Sequence, residues 1–490
     1  MIYLIAILIY LLVLTGIGVY KSRQVQTAAD FSVAGRSLSP WILVCTMLAA
    51  WIGTGSIVGN AGMTYETGLA AVILPIGSVI GMMLLTRVAP RARNYEVYSV
   101  PEIIGSRYGQ AARVLAVLAL VLAYMVIVSY QFNALGAVLN AILTNKAGKP
   151  LISEGIGTVI AAVAIITYTI LAGLLSLAYT DIVTGIIITT TLIIALPVLW
   201  LKAGGWSGME GHFAAMSKPQ HMQFWGVYTK AQLINYTLPT FLLIMGDANQ
   251  YQRFFASKSA RGAKSAVTFM VFAVLVVESL IILEAWIASS LMPNAAVGKY
   301  VLIYAAKDYM PIALGLLFMI TIVGIIISTA DSFLLIPATC LIRDVYLNYI
   351  NPKAPEKRTV FLSRLLVLAL GVVAYLVSLS FARSTTIFHR AMYAYTIYGA
   401  AITPCLAAAL FWKRATTVGA VASIVGGTVT TLTWSSLNFG DSGPFKWLGE
   451  LDAVLPAITV SVLGLVVGSL LTEPKPASSS AYSLRSPASE

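Results

Sequence analysis

The chain has 490 residues, of which 59% are hydrophobic and only 10% are charged, and its formal net charge is +12. Because a water-soluble domain carries roughly a quarter charged residues, this composition predicts a protein whose surface mostly faces lipid. The basic residues lie between apolar runs and form no basic face, which excludes a nucleic-acid-binding protein.

Thirteen apolar runs are long enough to cross a bilayer, since a spanning helix needs about 20 apolar residues. They lie near residues 2–20, 40–64, 68–88, 111–142, 155–174, 181–202, 232–253, 265–291, 310–341, 361–382, 390–412, 416–437 and 453–471. None alternates like a β-barrel strand, so we predict an all-α membrane protein with thirteen transmembrane helices. The first run lacks a basic start and a cleavage site, and we interpret it as a helix instead of a signal peptide.

The loops between the runs predict the orientation, because cytoplasmic loops are enriched in Lys and Arg. With the N-terminus outside, most of the 31 basic residues fall on the inner side, and the segments 87–113 and 253–264 are the strongest cytoplasmic markers. We expect a multi-pass protein of the cell inner (plasma) membrane with a cytoplasmic C-terminus. The Pro- and Ser-rich segment 473–490 is expected to be a disordered cytoplasmic tail.

Two of the runs are interrupted by residues that break helices. The second run contains the sequence WIGTGSIVGNAG, in which four glycines alternate with Thr54, Ser56 and Asn60, and the seventh ends with Gly246 and Asp247. Irregular backbone at membrane depth survives only where it lines a cavity or is buried in protein. Both interruptions are therefore candidate binding sites, although small residues can also serve close helix packing.

The interrupted runs begin two blocks of five spans, and the two blocks have opposite orientations because each has an odd number of spans. Paired interrupted helices in inverted repeats point to the binding site of a transporter. We predict inverted repeats at 40–202 and 232–412, one helix before them at 2–20 and two after them at 416–471. Residues 1–472 would form a single transmembrane transporter domain.

The ninth run ends with a cluster of oxygen-bearing side chains. Ser328, Thr329, Asp331 and Ser332 lie within about one helical turn. Hydroxyls, a carboxylate and free carbonyls are ligands that sodium prefers, whereas softer metals need His or Cys. The hydroxyls could instead bond back to their own helix. Asp181, at the predicted start of the sixth run, fits a helix N-cap when it is taken alone.

Four segments of the chain resemble the sodium:solute symporter family, which includes bacterial proline, pantothenate and sialic acid carriers and animal sodium/glucose carriers. They are DFSVAGRSLSPW at 30–41, TYTILAGLLSLAYTDIVTG at 167–185, GDANQYQRFFASKSARGAKSA at 246–266 and ISTADSFLLIPATCLIRDVY at 327–346. The resemblance covers about residues 1–472. It implies the LeuT-like fold of two inverted five-helix repeats and sodium (Na+) as the transported ion.

The resemblance also implies which residues bind sodium. Main-chain and hydroxyl oxygens would form one sodium site: Ala49, Ile52, Ile325, Ser328 and Thr329. Some members have a second sodium site, and the matching positions here are Asp181, Ser328, Asp331 and Ser332. Asp331 departs from the serine of those members, and its carboxylate could strengthen that site, bind a proton or pair with a cation.

The solute pocket is expected near the middle of the membrane, between the interrupted runs and the fourth and eleventh spans. Its candidate residues are Trp51, Thr54, Ser56, Tyr130, Gln131, Asn133, Asp247, Asn249 and Tyr398. No Arg or Lys is expected at mid-membrane in these helices, which argues against a strongly anionic solute.

We therefore predict a sodium-coupled symporter, not an enzyme, that imports a neutral or zwitterionic, amino-acid-like solute by alternating access. An amine held by Asp247, a sugar or a small carboxylate remain alternative solutes. Proton coupling through Asp181 or Asp331 and a solute sensor remain alternative functions. The expected partners are sodium, the solute and the lipid bilayer, and we expect the protein to function as a monomer.

Overall fold

A computed structural model describes residues 2–22, 28–95, 97–145, 149–171, 174–294, 298–381, 386–434, 436–437 and 446–473. The predicted disordered tail lies outside the described residues from position 474 onward. The helices of the first half are α1 (Ile2–Ser22), α2 (Ala28–Val33), α3 (Pro40–Trp51), α4 (Ala61–Thr67), α5 (Ile76–Arg93), α6 (Val100–Tyr108), α7 (Gln110–Ile142), α8 (Glu154–Leu171), α9 (Leu174–Lys202) and α10 (Gly205–Ala215).

The second half continues with helices of 4 to 31 residues. They are α11 (Lys230–Gly246), α12 (Ala248–Ala256), α13 (Ala260–Ser290), α14 (Val301–Asp308), α15 (Ile312–Cys340), α16 (Glu356–Phe381), α17 (Ile387–Phe411), α18 (Thr417–Trp434), α19 (Lys446–Gly449) and α20 (Val454–Leu471). Short 3₁₀ helices and two π-helical segments join some of them: Ala34–Arg36, Gly68–Ile73, Pro219–Met222, Gly55–Asn60 and Leu341–Ile350.

Eight of the described helices are long and apolar enough to cross a membrane, and the bent pair Pro40–Trp51 with Gly55–Ile73 would make a ninth. The eight spans coincide with α7, α9, α13, α15, α16, α17, α18 and α20. Helices α1 and α8 contain shorter apolar stretches. These helices confirm a multi-pass, helical membrane protein, whereas the count of thirteen spans and the inverted repeat stay predictions.

The helices differ in how much of their surface the protein itself covers. Helices α7, α15 and α17 are largely buried, whereas α16 and α20 expose rows of aliphatic side chains such as Val372, Leu376 and Leu463. Exposed aliphatic rows are stable against lipid chains but not against water. Helices α7, α15 and α17 therefore form the interior of the bundle, where a binding site would be shielded from lipid.

Both predicted helix interruptions are present. Helix α3 ends at Trp51, Ile52 has an extended conformation, and the π-helix begins at Gly55 after a bend of 48°. Helix α11 ends at Gly246, and Asp247 leaves the helical conformation before α12 begins. The Asp247 side chain accepts a hydrogen bond from the Asn249 amide and so caps the new helix.

The helix of the sixth run begins earlier than the predicted start at residue 181. Helix α9 begins at Leu174, about two turns before Asp181, so Asp181 is an interior helix residue and not an N-cap. The extra turns form because Leu174 and Leu177 are buried and Ser176 donates a hydrogen bond to the Gly18 carbonyl. Asp181 is consequently drawn into the bundle, where it is 1% exposed.

Candidate functional site

The C-terminal end of α3 supplies main-chain oxygens to the interior of the bundle. A helix leaves its last carbonyls without partners in the same helix. The Ser328 hydroxyl oxygen of α15 lies 3.4 Å from the Ala49 carbonyl oxygen, and that of Thr329 lies 3.3 Å from the Ile52 carbonyl oxygen. Two carbonyls and two hydroxyls from different helices therefore converge at the first helix break.

This set of oxygens fits a hard monovalent cation. Sodium prefers neutral and anionic oxygen ligands, and all four residues are shielded from solvent. Ile325 is buried about one turn before Ser328 on the same helix, and its carbonyl stays a predicted ligand. The residues predicted for the first sodium site therefore lie where one ion could bridge α3 and α15.

Asp181 lies directly behind this group of oxygens. The Ser328 hydroxyl donates a hydrogen bond of 2.6 Å to Asp181 Oδ1, and the Thr46 hydroxyl donates to Asp181 Oδ2. Because the Ser328 proton points to the carboxylate, the lone pairs of its oxygen are free to face a cation. Asp181 thus orients the hydroxyl of Ser328, which is a predicted sodium ligand.

Arg253 completes this polar cluster. The segment 253–264 is predicted to be a cytoplasmic loop, but Arg253 lies in α12 and is 0% exposed, so it is not a loop residue. Its Nη2 atom lies 3.5 Å from Asp181 Oδ2 and 3.0 Å from Ser332 Oγ. Its Nε atom donates to the carbonyl and hydroxyl of Thr46, and Nη1 donates to Asn249. These acceptors explain why the guanidinium is stable inside the bundle.

The residues predicted for a second sodium site do not form one cluster. Asp181, Ser328 and Ser332 lie together around Arg253, but Asp331 turns towards α8 and accepts a hydrogen bond from the Thr169 hydroxyl. The other carboxylate oxygen of Asp331 has no hydrogen-bond partner among the described residues. Asp331 and Ser332 point to different sides of α15 because neighbours in a helix lie about 100° apart.

Polar side chains surround the π-helix that follows the first break. The Thr54 hydroxyl donates to Gln131 Oε1 of α7, and the Ser56 hydroxyl donates to Glu278 of α13 at 2.6 Å. Asn60 Nδ2 donates to the second oxygen of Glu278 at 3.2 Å. We did not assign Glu278 to the site, although its place within an apolar run was a signal. It holds the π-helix through two side chains.

The second break is held by an aromatic group on α7. The Tyr124 hydroxyl donates a 2.5 Å hydrogen bond to Asp247 and accepts one from the Asn249 amide at 3.1 Å. The rings of Tyr124 and Tyr398 lie 5.6 Å apart. Tyr124 is not among the predicted site residues. It precedes Gln131 by seven residues, which is about two helical turns, and so lies on the same face of α7.

The remaining solute candidates are divided between two places. Tyr130 is fully buried beside Gln131, and Trp51 is partly buried against the core. Asn133 instead accepts a hydrogen bond from Arg390 at 2.9 Å and lines a separate cavity of about 150 Å³. Its lining combines apolar residues such as Met63 and Phe388 with charged and polar ones, among them Glu66, Asn133, Glu154, Lys299, Tyr300 and Arg390.

Two discontinuous helices that meet a hydroxyl-bearing helix inside a bundle are typical of a secondary membrane transporter. The model of the sodium:solute symporter family matches residues 31–427, and the chain belongs to this family. Its relatives are transporters, so the protein is a transporter and not an enzyme.

Several bacterial relatives match almost the whole chain. The osmoregulated proline transporter OpuE of Bacillus subtilis (strain 168) is 25% identical over 96% of this chain and 95% of its own length. The high-affinity proline transporter PutP of the same strain is 26% identical over 93% and 95%. A sodium/proline symporter of Staphylococcus aureus (strain JH9) is 26% identical over 96% and 92%.

Solved structures support the fold. The substrate-bound outward-open state of a Na+-coupled sialic acid symporter has a TM-score of 0.79 at 17% identity and covers 97% of this chain and 98% of its own. The transporter MhsT in complex with L-phenylalanine has a TM-score of 0.54 at 14% identity and covers 88% and 97%. These likenesses show a shared transporter fold.

Proposed function

We propose that the protein is a sodium-driven symporter for proline or a closely similar amino acid. The observation that carries this proposal is the convergence of the Ser328 and Thr329 hydroxyls on the carbonyls of Ala49 and Ile52. Proline is favoured among amino-acid-like solutes because three relatives that match over more than nine-tenths of this chain are named proline transporters or symporters.

The polar groups at the two breaks suit a zwitterion. Asp247 Oδ2 and Gln131 Nε2 are buried without hydrogen-bond partners in the part of the chain that the structure describes. The carboxylate oxygen could accept from an ammonium or imino group, and the amide could donate to a solute carboxylate. Two arginines are buried in these helices: the charge of Arg253 faces Asp181, and Arg390 donates to Asn133 at the separate cavity.

Sodium binding would couple to solute binding through the first break. An ion between α3 and α15 would favour one arrangement of the broken helix. If the solute also binds that arrangement more tightly, each ligand raises the affinity for the other, and this difference in affinity between the two conformations is the coupling. We propose an inner-membrane location with the N-terminus outside, and entry of the solute together with sodium. The membrane potential then contributes about 2.3 kcal/mol per charge per 100 mV.

A thermal-shift screen of the purified protein tests the proposed solute class. L-proline, other amino acids, sugars and amines would be compared in sodium and in potassium buffer. A ligand raises the apparent stability by RT ln(1 + [L]/Kd), so proline with sodium should give the largest shift. Shifts produced only by a sugar or an amine, or shifts that are equal in potassium, would contradict the proposal.

Replacing Gly53 by alanine should weaken sodium binding. An added Cβ would lie 2.9 Å from Thr329 Cγ2 and 3.1 Å from Thr329 Oγ1, so a sodium ligand would have to shift. Overpacking of this kind costs about 1–3 kcal/mol, which corresponds to a roughly 5- to 150-fold rise in the sodium concentration for half-maximal uptake. The control Gly211→Ala, which has open space, should leave this value unchanged; an unchanged value in Gly53→Ala would show that the close approach is not needed.

Replacing Tyr124 by phenylalanine should weaken solute binding with sodium dependence retained. The change removes the donor to Asp247, whereas the Asn249 amide keeps its hydrogen bond to Asp247. One lost buried hydrogen bond costs about 1–3 kcal/mol, so we expect the KM for proline to rise roughly tenfold. Tyr65→Phe, which removes a hydroxyl bonded to the Met292 carbonyl, is the matched control. Equal KM values in the two variants would exclude a positioning role for Tyr124.

A further inference from the structure

The place where a second sodium ion would be expected already holds a positive charge. Asp181 and Ser332 are two of the residues predicted for that site, and the Arg253 guanidinium lies between them. It is 3.5 Å from the Asp181 carboxylate and 3.0 Å from the Ser332 hydroxyl oxygen. An ion at this position would have to replace the guanidinium or lie beside it.

The donors of the guanidinium are matched with acceptors from four helices. Besides Asp181 of α9 and Ser332 of α15, the group donates to the carbonyl and hydroxyl of Thr46 on α3, each at 3.1 Å. It also donates to the carbonyl and side-chain oxygen of Asn249 on its own helix. A planar group with five donors in a fixed fork is suited to such a set, and it cannot be deprotonated in a protein.

Both carboxylate oxygens of Asp181 already accept hydrogen bonds. Oδ1 accepts from Ser328, and Oδ2 accepts from Thr46 and Arg253. Asp331, the other carboxylate predicted for a second sodium, faces Thr169 on the other side of the helix. A second sodium ion would therefore meet a carboxylate that is already neutralised, and the nearby guanidinium would repel it.

We infer that the Arg253 guanidinium acts as a built-in cation in place of a second sodium ion, so that one sodium ion accompanies each solute molecule. This inference rests on the proposed function and specifies its stoichiometry. The remaining sodium ion binds at Ala49, Ile52, Ser328 and Thr329, and Asp181 links that ion to the guanidinium through the Ser328 hydroxyl.

The reversal potential of the wild-type protein measures this stoichiometry. In proteoliposomes with equal sodium on both sides, a tenfold gradient of L-proline should be balanced by about 59 mV if one charge moves with each neutral solute. Two sodium ions for each proline would give about 30 mV and would overturn the inference. Uptake of proline that ignores sodium would instead overturn the proposed function, and the inference with it.

The variant Arg253→Gln tests whether the guanidinium holds the place of an ion. Removing it leaves Asp181 and Ser332 without their cation, so the balancing potential should move from about 59 mV towards 30 mV. Arg113→Gln is the matched control, because it breaks another ion pair, between the partly buried Arg113 and Asp344 at 2.5 Å, and should keep the wild-type potential. A transporting Arg253→Gln variant that keeps the wild-type potential would contradict the inference, and if it does not fold, the wild-type measurement decides.

Discussion

Ser328→Ala and Thr329→Ala should each raise the sodium concentration for half-maximal proline uptake by roughly 10- to 100-fold. Each change removes a hydroxyl that lies beside a main-chain carbonyl at the end of α3, and a lost polar partner in a buried site costs about 1–3 kcal/mol. The KM for proline at saturating sodium should change much less. Sodium titrations of uptake into proteoliposomes measure both values.

Thr321→Ala is the matched control for these two variants. Thr321 lies about two turns before Thr329 on α15, and its hydroxyl bonds to Thr191 and to the Leu317 carbonyl. Its removal should leave the sodium dependence unchanged. Sodium dependence that is equally unchanged in the Ser328 and Thr329 variants would exclude the proposed sodium site.

Asp181→Asn should destabilise the protein strongly. The change removes the carboxylate that faces Arg253, and an uncompensated buried charge costs about 3–5 kcal/mol. We expect a clear fall in Tm in detergent together with a loss of sodium affinity, because Asp181 also orients Ser328. Thermal unfolding in sodium buffer measures the first effect and uptake measures the second.

Two further variants separate the lost ion pair from the loss of any acidic residue. Asp308→Asn changes an exposed carboxylate on α14 and should change the free energy of unfolding by less than about 1 kcal/mol, so that the Tm stays close to that of the wild type. The double variant Asp181→Asn with Arg253→Gln removes both charges and should be more stable than Asp181→Asn alone. A double variant less stable than the single one would contradict the pairing of these residues.

Local sequence patterns were sufficient to find the two helix breaks and the hydroxyl pair. Glycines with polar residues around Thr54 indicated the first break, and Gly246 followed by Asp247 indicated the second. Ser328 and Thr329 were recognisable because hydroxyls stood beside a carboxylate in an otherwise apolar run. In each case the signal lay within a few neighbouring residues, so no long-range contact had to be known.

The contacts that complete the site could not be read from local patterns. Arg253 and Asp181 are 72 residues apart, and Ser56 and Glu278 are 222 apart. Arg253 follows a helix break and precedes a basic segment, and this sequence pattern is also typical of a cytoplasmic loop. Only the packing of α12 against α3, α9 and α15 shows that it is buried.

The start of α9 was misjudged for a related reason. The stretch LLSLAYT contains small and polar residues that look like a loop before Asp181, and the predicted span began at that aspartate. The structure buries Leu174 and Leu177 and uses the Ser176 hydroxyl to contact α1. Tertiary packing therefore extends the helix and turns a predicted N-cap into a buried carboxylate.

Sodium-driven accumulation of L-proline tests the central claim most directly. Proteoliposomes filled with potassium buffer and diluted into sodium buffer should concentrate labelled proline above the outside level, and the accumulation should vanish when sodium is replaced by potassium outside. Accumulation that follows an imposed proton gradient and is indifferent to sodium would contradict the claim, as would an absence of proline accumulation under the sodium gradient.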